Sequence, residues 1–413
     1  MPQTKQYYPV LAFALSAILL SLLLFVLIAG CDVGPQVAAP KPAINTLPHL
    51  LARMDDKVYG DRTALHPDQR MYFLGDVNVS IVDGIILEKS VALPNLAPPY
   101  GQSLRDIGVE PDSGMVYVLD NFSGAIHVIS NTVLITTLLG IVEQPLQIVA
   151  DEDSGEMYVF YIYHTNNSVE SRVAILQGTQ KIADIALPVL AKSALYNPVD
   201  GHIYVAGNTF ASDDTQSNAL MVLDNHQVIT AIHPLDDSEL GVIDLAINSK
   251  TGDIYILLVS KVVYWDRINR PRSIDLYELG YKNLGCITVD PKRGWAYVCS
   301  WPGRPSYVLV VNKDQFVGEI QVEHWPYAAA ADVRHDYIYV VHHDPTYLSV
   351  IRGTELITTL DIIGLGTMNV TVDEDRDLIY TSNAGDGTIS VFGFQQPIDE
   401  PSLWQRFLPF IQR

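Results

Sequence analysis

Positive charge is scarce in this 413-residue chain: 26 lysines and arginines stand against 47 aspartates and glutamates, a formal net charge of −21. A surface so acidic repels phosphate backbones and excludes nucleic acid as a general partner. Charge of either sign is also sparse, at 18% of residues, while 48% are hydrophobic. Such a chain has ample apolar material for a large core and is not an acidic disordered polymer. Cysteine is almost missing, with only Cys31, Cys286 and Cys299, and no Cys-x-x-Cys-His run that would attach haem. The Gly-x-Ser-x-Gly elbow, the His-Glu-x-x-His helix and the Walker loop are absent too. Those chemistries are excluded in their local form. A site assembled from distant segments leaves no local signature.

What is present begins with an address. Met1 to Pro9 is polar and carries Lys5, an apolar run extends from Val10 to Ile28, and the run ends in Ile28-Ala29-Gly30-Cys31. Small residues before a cysteine mark a cleavage site, and this tetrad resembles the lipobox of bacterial lipoproteins. The resemblance implies lipidation of Cys31 after removal of residues 1–30, with two or three acyl chains giving firm anchorage. An uncleaved transmembrane anchor is the alternative. Both place the folded part in the cell envelope, outside the cytoplasm and tethered to a membrane. Residues 31–48, rich in Pro and Ala, are expected to form a semi-extended tether. Residues 395–413, with Trp404, Phe407 and Phe410, are expected to form an amphipathic tail that packs on the domain or docks a partner.

Between them, residues 49–394 repeat one unit. Tyr72, Tyr117, Tyr158, Tyr204, Tyr255, Tyr297, Tyr339 and Tyr380 recur at separations of 41 to 51 residues. Three positions before each stands a turn residue: Gln69, Gly114, Gly155, Gly201, Gly252, Gly294, Asp336 or Asp377. Seven positions before stands Glu110, Asp151, Asn197, Asn248, Asp290, Asp332 or Asp373; the first unit, with Leu65, breaks the rule. Asp or Asn opens a tight turn and Gly closes it where positive φ is needed, so each unit contains a hairpin. Apolar neighbours on both sides of each Tyr describe a strand buried on both faces. Four strands per unit, repeated at this spacing, predict an all-β propeller of antiparallel blades. Eight anchors predict eight blades, or seven if the first unit is degenerate. The last unit lacks an outer strand, and the segment Ala43 to Leu47 is expected to supply it, pairing the two ends of the chain.

Tyr380-Thr381-Ser382-Asn383, followed by Gly385-Asp386-Gly387-Thr388-Ile389-Ser390-Val391, resembles the repeat of YVTN propellers, and Tyr117-Val118-Leu119-Asp120-Asn121 is a looser copy. The resemblance implies the fold and is nearly silent on function.

Three sets of residues carry the functional expectations. Cys286 and Cys299 flank the Asp290 to Trp295 turn symmetrically, which sets them opposite each other on a hairpin. A disulfide is expected in an oxidising exterior, with two buried thiols as the alternative. Eleven positions before each Tyr lies a ring at the channel mouth: Asp61, Asp106, Gln147, Ser193, Asp244, Cys286, Ala328 and Asn369. It reads as a ring for a cation or polar ligand, or as side chains bonded to loop backbone and channel water. The third set, Trp301, His324, Trp325, Tyr327, His342, His343 and Asp344, is expected to converge in loops on one face. Exposed aromatics with His and Asp suit a carbohydrate, peptide or metal-assisted site, on a face that would bind a protein, peptide or glycan. The alternative is loops packing on themselves, with Trp and Tyr as local cores. The expectation is therefore a membrane-anchored binding module without a cofactor. The rival is an extracytoplasmic enzyme, a lactonase-like hydrolase or a lyase, that uses His342, His343, Asp244 or Asp106 around a divalent cation.

Overall fold

The computed structural model describes residues 47–394 apart from 95–103, 166–167, 211–215, 233–234, 236–240, 302 and 363. Residues 1–46 and 395–413, where the leader, most of the tether and the tail are expected, lie outside the described residues. What is described is all β: eight four-stranded antiparallel sheets arranged as blades, with no helix among the described residues. The innermost strands are Val58–Leu65, Leu104–Val109, Gln144–Ala150, Val189–Asn197, Val242–Ile247, Leu284–Asp290, Pro326–Asp332 and Thr367–Asp373. The seven-blade alternative falls, because the first unit forms a complete sheet of its own.

Each anchor tyrosine sits in the second strand of its blade and is almost wholly buried, between 0% and 3% exposed. The hairpin ahead of it is built as the residue types require. The backbone N–H of Gly114, Gly155, Gly201, Gly252 and Gly294 donates to the carbonyl of the residue four positions earlier. The side chains of Asp151, Asn248 and Asp290 accept from backbone N–H groups within their own turns. All five glycines are left-handed, with φ near 70°. Gln69, Asp336 and Asp377 hold the same conformation without being glycine, at φ of 70°, 64° and 56°. That conformation costs a residue with a Cβ about 1 kcal/mol. Each of the three compensates sideways, because it bonds an arginine from the turn of the preceding blade. Arg293 grips Asp336 at 2.6 and 2.7 Å, Arg334 reaches Asp377 at 2.9 Å, and Arg376 reaches Gln69 at 2.8 Å.

The core lies between blades, not within one sheet. Tyr117, Leu119, Ile126 and Val128 of the second blade pack with Ile148, Met157, Val159 and Ala174 of the third, and equivalent clusters recur around the ring. Five of the eight anchor hydroxyls then bolt neighbours together, while those of Tyr158, Tyr204 and Tyr339 donate within their own blades. Tyr72, Tyr117, Tyr297 and Tyr380 donate to carbonyls of Asn131, Gly178, Gly353 and Gly84, each in the outer hairpin turn of the following blade, at 2.8 to 3.1 Å. Tyr255 donates to Gly294 at 2.7 Å and accepts from the N–H of Lys313 at 3.0 Å, both in the sixth blade.

The ring closes by pairing the chain's two ends, but not with the segment expected. The outer strand of the last blade is His49–Asp55, running antiparallel to Thr388–Gly393 from His49 opposite Gly393 to Asp55 opposite Thr388. Leu47 and Pro48 lie outside it, and 43–46 fall outside the described residues. Pro48 has no N–H for a ladder, so the strand starts after it. Leu51, Ala52 and Met54 supply the apolar contacts, against Leu378, Tyr380, Ile389 and Val391.

Candidate functional site

In this topology the hairpin turns 1–2 and 3–4 of every blade emerge on one face. The 2–3 loops and the crossings to the next blade emerge on the other. The second face carries several large apolar side chains in the open, among them Phe122, Leu139 and Leu365, each more than 60% exposed.

The aromatic set meets there only in part. His343 is the hub: its ring lies 5.1 Å from that of Trp325, edge-on, and 5.7 Å from that of Tyr327. The His343 N–H donates to the carbonyl of Trp325 at 3.0 Å, tying the 2–3 loop of the seventh blade to the crossing that enters it. The Nδ1 of His343 is shielded and makes no hydrogen bond to any described residue. Trp325 holds φ of 57°, a left-handed strain worth about 1–3 kcal/mol that persists only where surroundings dictate it. Trp325, His343, Asp344 and Leu365 line one cavity of about 400 Å³. His324 lies beside Trp325, ring centroids 6.2 Å apart, and lines a neighbouring cavity of about 500 Å³ with Arg304, Glu323 and Pro345.

Three members stand elsewhere. Tyr327 is not in the crossing but within the inner strand Pro326–Asp332, where the register slips. It lines the channel together with Trp301. His342 is not on the face at all: it ends the second strand, is 0% exposed, and is held by the His324 carbonyl at 3.2 Å and Ser349 Oγ at 2.9 Å. Burial lowers its pKa to about 4, so it is neutral at physiological pH. The signal for this was available. Three positions after the anchor, the polar residues Asp120, Ser300, His342 and Asn383 recur, all buried and hydrogen-bonded where the strand runs into its loop.

The channel ring works mostly as stitching between blades. Asp106 Oδ2 accepts from the Ile148 N–H at 2.8 Å, and Gln147 exchanges two bonds with Ala194 at 2.8 and 2.9 Å. Ser193 Oγ donates to Asp244 Oδ1 at 3.0 Å, and Asn369 Nδ2 donates to Thr63 Oγ1 at 3.0 Å. In each case the partner belongs to the next blade. Burial raises the pKa of Asp244, opposed by its bond from the Leu245 N–H and the charge of Arg62. The first blade departs from the spacing: Thr63 pairs with Phe73 and Val58 with Gly75, so residues 59–62 all stand opposite Leu74. Its turn is one residue shorter, which shifts the count and brings Arg62, not Asp61, to the lining of the channel. The Asp61 side chain lies outside those described.

Cys286 and Cys299 form a disulfide, Cα to Cα 5.0 Å, on the wall of the sixth blade. Asp106, Asp244, His342 and His343 are not drawn into one cluster. Among the described residues no three His, Cys, Asp or Glu side chains are grouped to hold a metal ion.

No family model matches the chain. No curated protein matches it either. Among solved structures, the Dos1 propeller superposes with a TM-score of 0.63 at 12% identity, over 85% of this chain and 96% of that one. At that identity the likeness speaks for the architecture alone. The chain folds as an eight-bladed β-propeller.

Proposed function

We propose that the chain is a membrane-tethered recognition module of the cell envelope, a lipoprotein of YVTN-like type anchored through Cys31. In this reading the loop face of its propeller binds a protein, peptide or glycan. The observation that carries the proposal is the pair Trp325 and His343, in a loop strained at Trp325, lining one cavity with exposed Leu365. An exposed indole edged by a histidine, over a cavity of small-molecule size, offers both an apolar platform and hydrogen-bonding groups. Phe122 and Leu139 extend the apolar character of the face toward the second blade.

The enzyme reading gains no such support, because the residues it needs stand apart. The test is binding of the purified full chain to immobilised glycan and peptide arrays, with Trp325→Ala alongside. Specific signals weakened roughly tenfold or more by the substitution, as expected for an aromatic hot spot, support the proposal. Signals indifferent to it, or none, refute it. The anchor is tested separately: Cys31→Ser should release the chain from the membrane fraction and remove the acyl mass.

A further inference from the structure

The channel offers a second site, independent of the loop face. In all eight blades the register between the first and second strands slips ahead of the anchor, by a single residue in seven and by more in the first. Such a bulge leaves a residue unpaired and re-aims its side chain. Lys192, Ile243, Gly285, Tyr327 and Met368 stand at five of these bulges, and all five line a single cavity of about 390 Å³. The indole of Trp301 packs against Gly285: a Cβ there would come within 1.9 Å of it. Glycine is therefore what admits the ring.

The charge of this lining opposes that of the chain. Among the described residues its charged side chains are Arg62, Lys192 and Asp244, in a protein of net charge −21. Lys192 is exposed to the cavity and forms no ion pair with any described residue. The carboxyl of Asp244 is already engaged by Ser193 and by the Leu245 N–H, and burial biases it toward its neutral form. The wall is thus cationic, in a recess where low dielectric strengthens attraction for an anion. The hydrogen-bonded state of the ring and the excess of cations both speak against a metal ion.

We propose that the central channel binds a small carboxylate with a planar, apolar body. Arg62 and Lys192 meet the carboxylate, and Trp301 and Tyr327 flank the body.

Calorimetric titration of the full chain in detergent tests this with isophthalate, its uncharged diamide, inorganic phosphate and calcium as probes. The expected result is saturable binding of isophthalate that weakens as salt rises, with no response to the diamide. Lys192→Gln should weaken it roughly tenfold, the worth of one charge-assisted hydrogen bond. Because Lys192 has no ion-pair or hydrogen-bond partner among the described residues, this substitution should leave the melting temperature unmoved. Arg62→Gln in the same background should weaken binding further. Gly285→Ala, which displaces the indole, should also weaken it without touching charge. No saturable response to isophthalate up to about 10 mM, equal binding of the diamide, or indifference to Lys192→Gln overturns the proposal. So does phosphate or calcium binding in preference. Trp325→Ala should leave isophthalate binding unchanged, which separates this site from the loop face.

Discussion

If Tyr72, Tyr117, Tyr255, Tyr297 and Tyr380 bolt their blades to the next, removing one of these hydroxyls must loosen the neighbour and not only the blade that carries it. Tyr297→Phe is the cleanest case. The side chain is 0% exposed, its ring contacts survive the change, and only the 3.1 Å bond to the Gly353 carbonyl is lost. Gly353 is half-buried in an outer turn, so water can replace part of that bond, which sets the cost at about 1 kcal/mol. Tyr255→Phe should cost about twice as much, since that hydroxyl both donates to Gly294 and accepts from Lys313. The assay pairs urea unfolding with amide hydrogen exchange resolved by peptide. In Tyr297→Phe, exchange should rise at the turn around Gly353 in the seventh blade, although the substitution lies in the sixth. Tyr339→Phe is the control, because its hydroxyl donates at 3.1 Å to Asp332 of its own blade. Its exchange should rise locally and leave the eighth blade unchanged. If Tyr297→Phe accelerates exchange only within the sixth blade, or the two single-bond and double-bond losses cost the same, the bolting argument is wrong.

Three further outcomes follow from the same geometry. His342, buried and neutral with a pKa lowered to about 4 from 6.5, adds stability that is present above 6.5 and lost as pH falls toward 4. The loss is at most about 3 kcal/mol, and His342→Gln should flatten that acid limb in unfolding curves taken across the window. At the opposite end, burial raises the anchor hydroxyls, Tyr255 to about 12, above the ordinary value of 10. Stability should therefore hold below pH 10 and decline between 10 and 12, with tyrosinate absorbance appearing together with unfolding. Cys286→Ala with Cys299→Ala opens a cross-link of sequence separation 13 and should cost on the order of 2–3 kcal/mol. A reductant should lower the melting temperature of the parent to a similar degree and leave the double variant unmoved.

The blade count was legible because one strand per blade is buried on both faces and needs the same large residue to reach the same neighbour. That requirement wrote Tyr into the sequence eight times. Legibility failed where a local departure broke the count. The first blade has Leu65 in place of an Asp or Asn and a turn shorter by one residue. Counting back from Tyr72 thus landed on Asp61, while Arg62 reached the channel. The closing strand was missed by a few residues because its pairing partner lies at the far end of the chain, and nothing local marks the register. The paired histidines His342 and His343 look equivalent in sequence. Alternation along the strand sends one inward and lets the next reach the loop, so they have unrelated roles. The bulges that line the channel left no trace at all, since a slipped register is a relation between two strands and not a property of either.

The closing strand has one more consequence, in time. His49–Asp55 emerges from the ribosome before any blade exists, yet its partner Thr388–Gly393 is more than 300 residues away. At roughly 5–20 residues per second, tens of seconds pass before the two can meet. Throughout that interval the nascent ring is an open arc with an unfilled edge at one end and a loose strand at the other. Two arcs that meet in that state can trade first strands and complete each other, with every ladder bond the same as in the monomer. The yield of monomer should therefore depend on how dilute the chains are while they are being made, and crowding of nascent chains favours the interlocked pair.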